Sequence, residues 1–268
     1  MGFSIPVAAL NSSRGISNPL GLSGCICWLR SDLGVTLSGS NVVTWANQAP
    51  GSSANAIAPS PFINATGPLV GAGGLNGRNY LSFNGTSHAF TWNLSYVGAQ
   101  TIAFIFRSTD ETAASVSGIS FYTMFGTSSG VNYTSELTEL NFSGYTIVNL
   151  IAVQPIFSFA PITVGYGSGI PFFGSAGHSL ISTYNNTGNA SPSNYNIFDN
   201  SASRSLTTSG AYDRTATSVG SIGARYDSSA GASAFFTGEL YEIIVYNRVL
   251  SGPEQSMLNT YISHLYAL

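Results

Sequence analysis

Hydrophobic positions along this chain follow two periods, and the second appears only at the end. From Thr101 to Arg107, apolar Ile102, Phe104 and Phe106 alternate with other residues, the pattern of a strand with one face in a core. From Glu239 to Tyr246 the run is richer in Tyr, Ile and Val. Simple alternation puts Tyr241, Ile243 and Val245 on one face and Leu240, Ile244 and Tyr246 on the other. A strand apolar on both faces belongs inside a sheet that is covered on both sides. Asn247 and Arg248 then break the run, and the period lengthens. Met257, Leu258, Tyr261, Ile262 and Leu265 recur at helical spacing. Ser251 with Glu254 forms a capping-box signature, and Pro253 suits a first helical turn. The pattern therefore predicts a final strand, a tight turn and a short amphipathic helix lying against the sheet edge or the sandwich end.

Upstream, the pattern predicts strands at Cys25 to Arg30 and Asn41 to Trp45, then a loop over 48–74 dense in Gly, Pro, Ala and Ser. Tyr80 to Phe83 and His88 to Trp92 flank Asn84-Gly85, a hairpin signal. Further strands are expected at Ile119–Phe125, Leu137–Phe142, Thr146–Val153, Pro161–Tyr166 and Ser218–Arg225. Residues 184–215 are the least regular stretch. Even spacing with Gly/Ser turns suits a sandwich rather than βαβ units. No fixed-period repeat or linker divides the chain. The expectation is an N-terminal arm, residues 1–22, followed by one domain, residues 23–268. The arm carries Phe3, Ile5, Val7 and Leu10 among Pro6, Pro19 and small residues, and reads either as a loose terminus or as a tether for a partner.

Three stretches resemble the LamG-like jelly-roll family of concanavalin A-like lectin/glucanase domains. They are CWLRSDLGVTLSGSNVVTWANQAPGSSANA at 27–56, LNGRNYLSFNGTSHAF at 75–90 and GELYEIIVYNRVLS at 238–251, in the family's order. The resemblance implies an all-β, antiparallel jelly-roll β-sandwich with a short C-terminal helix. It also implies a strand pair with a long connection within 184–215. It says little about function, because one fold hosts many.

Composition narrows the function classes. Of 268 residues 44% are hydrophobic, enough for a sizeable core, and only 7% are charged against about 25% in an ordinary domain. All eight cations are arginines, and lysine is absent. The net charge of −3 argues against nucleic-acid or anionic-membrane partners. No apolar window reaches 18 residues, and the N-terminus lacks the basic start of a secretion signal. Cys25 and Cys27 would share one strand face with Cα atoms about 6.6 Å apart, and read as small core residues beside Leu29.

Because the resemblance includes glucanases, a pair of catalytic carboxylates would be the signature of an enzyme. Retaining glycosidases need carboxyl groups about 5 to 5.5 Å apart, and no Glu-x-Asp-x-(x)-Glu run occurs. Glu136/Glu139 and Glu239/Glu242 are each three apart, which puts each pair on opposite strand faces. Asp110-Glu111 fall in a turn. His88, His178 and His264 are scattered and read as strand and helix-surface residues, and no G-x-S-x-G elbow occurs. No cofactor is expected. Asp199-Asn200, Asp213 and Asp227 are isolated, which leaves a loop calcium as the one open metal reading. For glycans, Tyr184, Tyr195, Tyr212 and Tyr226 stand among Asn, Asp and Ser and could stack on sugar faces. Ordinary surface cover is the competing reading.

Together these features lead to an expectation of a non-enzymatic structural and interaction protein on a virion surface, of the bacteriophage decoration or fibre type. Such a protein is made in the host cytoplasm and displayed outside without a signal peptide. Its expected partners are other virion proteins, engaged through the arm, and cell-surface glycans; oligomerisation is left open. The alternative is a carbohydrate-binding module of a bacterial surface protein. A glycoside hydrolase ranks last.

Overall fold

The computed structural model describes residues 15–52, 55–58, 65–92, 94, 99–108, 120–127, 139–145, 148–154, 176–185, 195–203, 220–227, 231–233 and 235–268. The first strands are β1 (Cys25–Arg30), β2 (Val35–Ser38), β3 (Asn41–Trp45), β4 (Ala56–Ile57), β5 (Leu69–Gly71) and β6 (Tyr80–Asn84). Next come β7 (Phe90–Trp92), β8 (Gln100–Ser108), β9 (Ser120–Thr127), β10 (Glu139–Tyr145), β11 (Val148–Gln154) and β12 (His178–Tyr184). The last are β13 (Tyr195–Asp199), β14 (Ala202–Ser203), β15 (Gly220–Ile222), β16 (Arg225–Asp227), β17 (Gly231–Ser233) and β18 (Thr237–Tyr246). Helix α1 (Gly252–Tyr266) closes the chain. The fold is an all-β antiparallel sandwich with one short C-terminal helix.

Strand β18 is the axis of one layer. It pairs with β8 along one edge, and with β6 and then β1 along the other. From β8 the layer continues through β12 and β13 to β14. The second layer runs β3, β4, β7, β15, β9, β10, β11, with β2 beside β3. Short β5 pairs with both β3 and β6 and so joins the layers at one side. The interior is filled from both: Trp45, Phe90 and Trp92 meet Phe104, Phe106, Leu240 and Val245, all buried. Fully burying side chains of this size stabilises by roughly 1.5 to 3 kcal/mol each.

The strongest sequence signals produced the expected elements. β1, β3, β8, β18 and α1 fall where the hydrophobic periods put them, and Ser251 with Glu254 forms the capping box. The helix is not at the edge or end of the sandwich. It covers the outer face of the β18 layer, where Leu258, Ile262 and Tyr266 pack with Trp28, Ala103, Ile105, Ile181 and Ile244 in a second core. Strand β18 is thus covered on both sides, as its composition required.

Two bulges correct the expected facing of side chains. In β18 the register to β8 skips Tyr241, which lies between the pairs Leu240–Phe106 and Glu242–Ile105. The main chain of Tyr241 accepts from the amide of Ser31 instead. An extra residue inverts the alternation beyond it. Leu240, Ile243 and Val245 therefore face the sandwich interior, while Tyr241, Ile244 and Tyr246 face the helix. A second irregularity between Cys25 and Cys27 does the same in β1. Cys27 joins the interior beside Leu29, whereas Cys25 packs against the helix-side core. Both thiols are free, and burial pushes Cys25 up to about 12.

The Asn84-Gly85 turn is not a hairpin. Its flanking strands part company: β6 pairs with β18 and β5, and β7 with β4 and β15. Asn84 Oδ1 accepts from the amides of Thr86, Ser87 and His88, and Gly85 takes φ 73°. The side chain thus supplies the turn bonds that a strand partner would have given, and the chain crosses between layers. The expected 48–74 loop contains β4 and β5. Strand β12, absent from the pattern reading, lies between β8 and β13. The strand expected at Pro161–Tyr166 lies outside the described residues.

Candidate ligand-binding cleft

The bulge at Tyr241 has a chemical result. Glu239 and Glu242, placed on opposite faces by simple alternation, both turn to the helix side. Glu242 is fully buried there. The indole N–H of Trp28 and the hydroxyls of Tyr261 and Tyr266 donate to its carboxylate, the two tyrosines at 2.7 Å each. Burial pushes its pKa up to about 7, and the three donors pull against that rise. Glu239, one bulge away, accepts from Arg107 and from the Tyr241 hydroxyl. Tyr241 also receives the Leu75 amide at 2.9 Å, which ties β18 to the turn before β6.

A third buried acid sits inside the sandwich. Asp199 of β13 meets His178 Nδ1 of β12 at 3.0 Å, and the imidazole stacks 5.5 Å from the Phe106 ring. The hydrophobic pattern predicts no strand at β12, and β13 lies in the stretch that it leaves least regular. The partners lie 21 residues apart, so no local spacing could have revealed them. His88 is also buried, its Nδ1 2.8 Å from the Ser82 carbonyl, and burial lowers its pKa. His264 alone of the three is exposed on the helix.

Beside the C-terminal half of α1 lies a cleft of about 480 Å³. Arg30 from β1, Arg78 from the turn before β6, and His264 from α1 line it, with Ile16, Tyr261 and Leu265 as its apolar surface. Arg30 is braced: its Nε and Nη2 donate to Asp32, and its guanidinium lies 5.6 Å from the Trp28 ring centroid. Burial works to lower the Arg30 pKa, but the bonds to Asp32 and to the Tyr261 hydroxyl raise it further. Arg78 Nε donates to the Leu265 carbonyl at 3.3 Å, and Asn76 to the same oxygen at 3.1 Å. Sequence reasoning missed this cleft because its residues come from four separated segments. The only available signal was the concentration of cations in a charge-poor chain.

The tyrosines singled out for sugar stacking fall in three places. Tyr184 and Tyr195 end β12 and begin β13 and are direct cross-strand partners. Tyr226 belongs to the β16–β17 ribbon, paired with Ala232. Tyr212 lies outside the described residues. Of the acids weighed for calcium, Asp199 is the buried partner of His178, Asp227 lies in β16, and Asp213 is outside the described residues. Among the described residues no group of three or more His, Cys, Asp or Glu is placed to hold a metal ion. Nor is any described helix long and apolar enough to cross a membrane.

No protein-family model matches the chain, and no curated protein matches its sequence. Solved structures do resemble its fold. The receptor-binding domain of botulinum neurotoxin type G aligns over 89% of this chain and 52% of its own, with 14% identity and a TM-score of 0.54. Trypanosoma rangeli sialidase in complex with sialic acid aligns over 94% of this chain and 36% of its own, at 15% identity and a TM-score of 0.53. The same sialidase in complex with 2,3-difluorosialic acid gives 91%, 33%, 15% and 0.53. This chain therefore spans about half of the neurotoxin domain and about a third of the sialidase. At such identities the likeness is one of fold: an antiparallel β-sandwich.

Proposed function

We propose that this protein is a non-enzymatic structural and recognition module of the LamG-like type, displayed on a virion surface and binding glycans there. One observation carries the non-enzymatic part. Each buried carboxyl among the described residues is occupied by internal donors: Glu242 by Trp28, Tyr261 and Tyr266, Glu239 by Arg107 and Tyr241, and Asp199 by His178. A glycosidase needs two carboxyl groups facing one substrate bond, and these three serve separate structural networks. Recognition is supported by the fold likeness to a receptor-binding domain and by the paired Tyr184 and Tyr195. Display on a particle is supported by a composition rich in Ser, Thr, Asn and Gly, with 7% charged residues and no lysine.

The test is quantitative mass spectrometry of particles banded in a density gradient from the source culture. The chain should band with a capsid or tail protein at fixed stoichiometry. Its recovery only in soluble or cell-surface fractions would sink the virion reading. A glycan array on the purified protein checks the other half, with Tyr184→Ala and Tyr195→Ala expected to weaken whatever binds at that strand pair. Hydrolysis of a β-glucan, abolished by a single Glu→Gln change, would overturn the non-enzymatic reading.

A further inference from the structure

We propose that the cleft beside α1 is an anion site that takes a small carboxylate-bearing saccharide, with Arg78 as its principal contact. Charge is the first argument. Only 7% of this chain is charged, yet two of its eight arginines and one of its three histidines converge on one cleft. None of the residues lining it is acidic. The one carboxylate bound to a lining cation is Asp32, which holds Arg30 through Nε and Nη2. Arg78 has no carboxylate partner among the described residues. Its Nε is tied to the Leu265 carbonyl, which fixes the guanidinium plane and leaves the terminal amino groups for a ligand. A planar guanidinium held this way matches a carboxylate through two parallel hydrogen bonds.

The end of a helix repels anions, so α1 has to be weighed against this reading. Its Leu265 carbonyl already accepts from both Arg78 and Asn76, which offsets the local negative end of the dipole. Shape argues for a sugar over a bare ion. About 480 Å³ falls in the range of small-molecule clefts. Ile16, Leu265 and Tyr261 give it an apolar side on which the C–H face of a pyranose can rest. The Tyr261 hydroxyl is engaged by Glu242 and Arg30, so the aromatic side chain is held in place before any ligand arrives. This preorganisation lowers the ordering cost of binding.

The proposal rests on the recognition reading above only in taking a saccharide as the ligand class. The experiment is calorimetric titration of the full chain with N-acetylneuraminic acid and with methyl glucuronide, against methyl glucoside and acetate as controls. The acidic sugars should bind and weaken with added salt, while methyl glucoside and acetate bind at least tenfold more weakly. Arg78→Gln should reduce affinity roughly ten- to a hundredfold, the value of a charged hydrogen-bond pair. Arg78→Lys should recover part of it, since the charge stays and the fork is lost. Thermal melting of both variants verifies that the fold is kept. Acidic-sugar binding unaffected by Arg78→Gln but lost in Tyr184→Ala would overturn this site and leave the recognition reading standing. Equal binding of methyl glucoside, or of acetate, would overturn the ligand class. Failure of every sugar here and on the array would overturn both.

Discussion

Glu242 shows how one side chain can set the pH response of a fold. Its carboxyl lies between sheet and helix, fully buried, and its pKa is pushed from an ordinary 4.5 up to about 7. The folded protein therefore holds this proton more tightly than the unfolded chain does. The stability so gained is complete below pH 4.5 and is lost as the pH rises to about 7. A difference of this size corresponds to about 3 kcal/mol. His88, its pKa lowered by burial, acts in the opposite sense in this range. The Glu242 share is therefore read, by denaturant unfolding, as the stability of the parent relative to Glu242→Gln, which should fall by about that amount between pH 4.5 and pH 7.5. Glu242→Gln should flatten the profile over this interval, because the amide has no proton to lose and still offers an acceptor to Trp28 and Tyr261. Parallel profiles for the two proteins would refute this account. Glu242→Ala leaves three buried donors unmet and should cost about 3 kcal/mol or more at any pH in the range.

The helix that supplies two of those donors is set in place by a smaller device with the opposite pH sign. Glu254 accepts from the amide and hydroxyl of Ser251, and from Arg248 through both oxygens at 2.6 and 2.8 Å. The bonds from Arg248, chiefly, hold its carboxyl down at about 2. That contribution is present above 4.5 and is lost as the pH falls through about 2. The pair is partly exposed, so solvent screening limits the charge part to below about 1 kcal/mol. With the cap included, Glu254→Ala should cost about 1 to 2 kcal/mol, read from urea unfolding at pH 7. An effect below 0.3 kcal/mol would mean that packing alone holds the helix. This capping box was legible in the sequence, as were β8, β18 and the helix period, because each rests on side chains within a few positions. The bulges at Tyr241 and in β1 were not legible. Each inserts one residue with no signature of its own, and all that follows changes face. Hence Glu239 and Glu242 read as opposed although they share the helix side. Asn84-Gly85 failed differently: the turn was real, but which strands it joins is decided by distant partners. The Arg78 cleft was hidden for the same reason, its walls being assembled from residues 15–17, β1, a turn and α1.

At the scale of the molecule, two cores share one strand. Leu240, Ile243 and Val245 of β18 serve the sandwich interior, while Tyr241, Ile244 and Tyr246 serve the helix side. Loss of the outer core therefore loosens the axis of the inner one, and the two are expected to unfold together. The expected arm bears on this, because its last residues take part. Leu22 and Pro19 are buried, Ile16 packs against the outer core, and the Tyr246 hydroxyl donates to the Pro19 carbonyl at 3.0 Å. Deleting residues 1–22 to test particle attachment would thus also remove part of the fold. Loss of the buried Leu22 side chain alone costs about 2 to 5 kcal/mol, and at this chain length that lowers the melting temperature by roughly 5 to 15 °C. A deletion ending at residue 14 leaves all of these contacts in place, and its melting temperature is to be measured beside its banding. If the shorter deletion keeps its melting temperature but no longer bands with particles, attachment resides in residues 1–14. If it bands as the parent does, residues 1–14 have no docking role, and attachment has to be sought on residues 15–268.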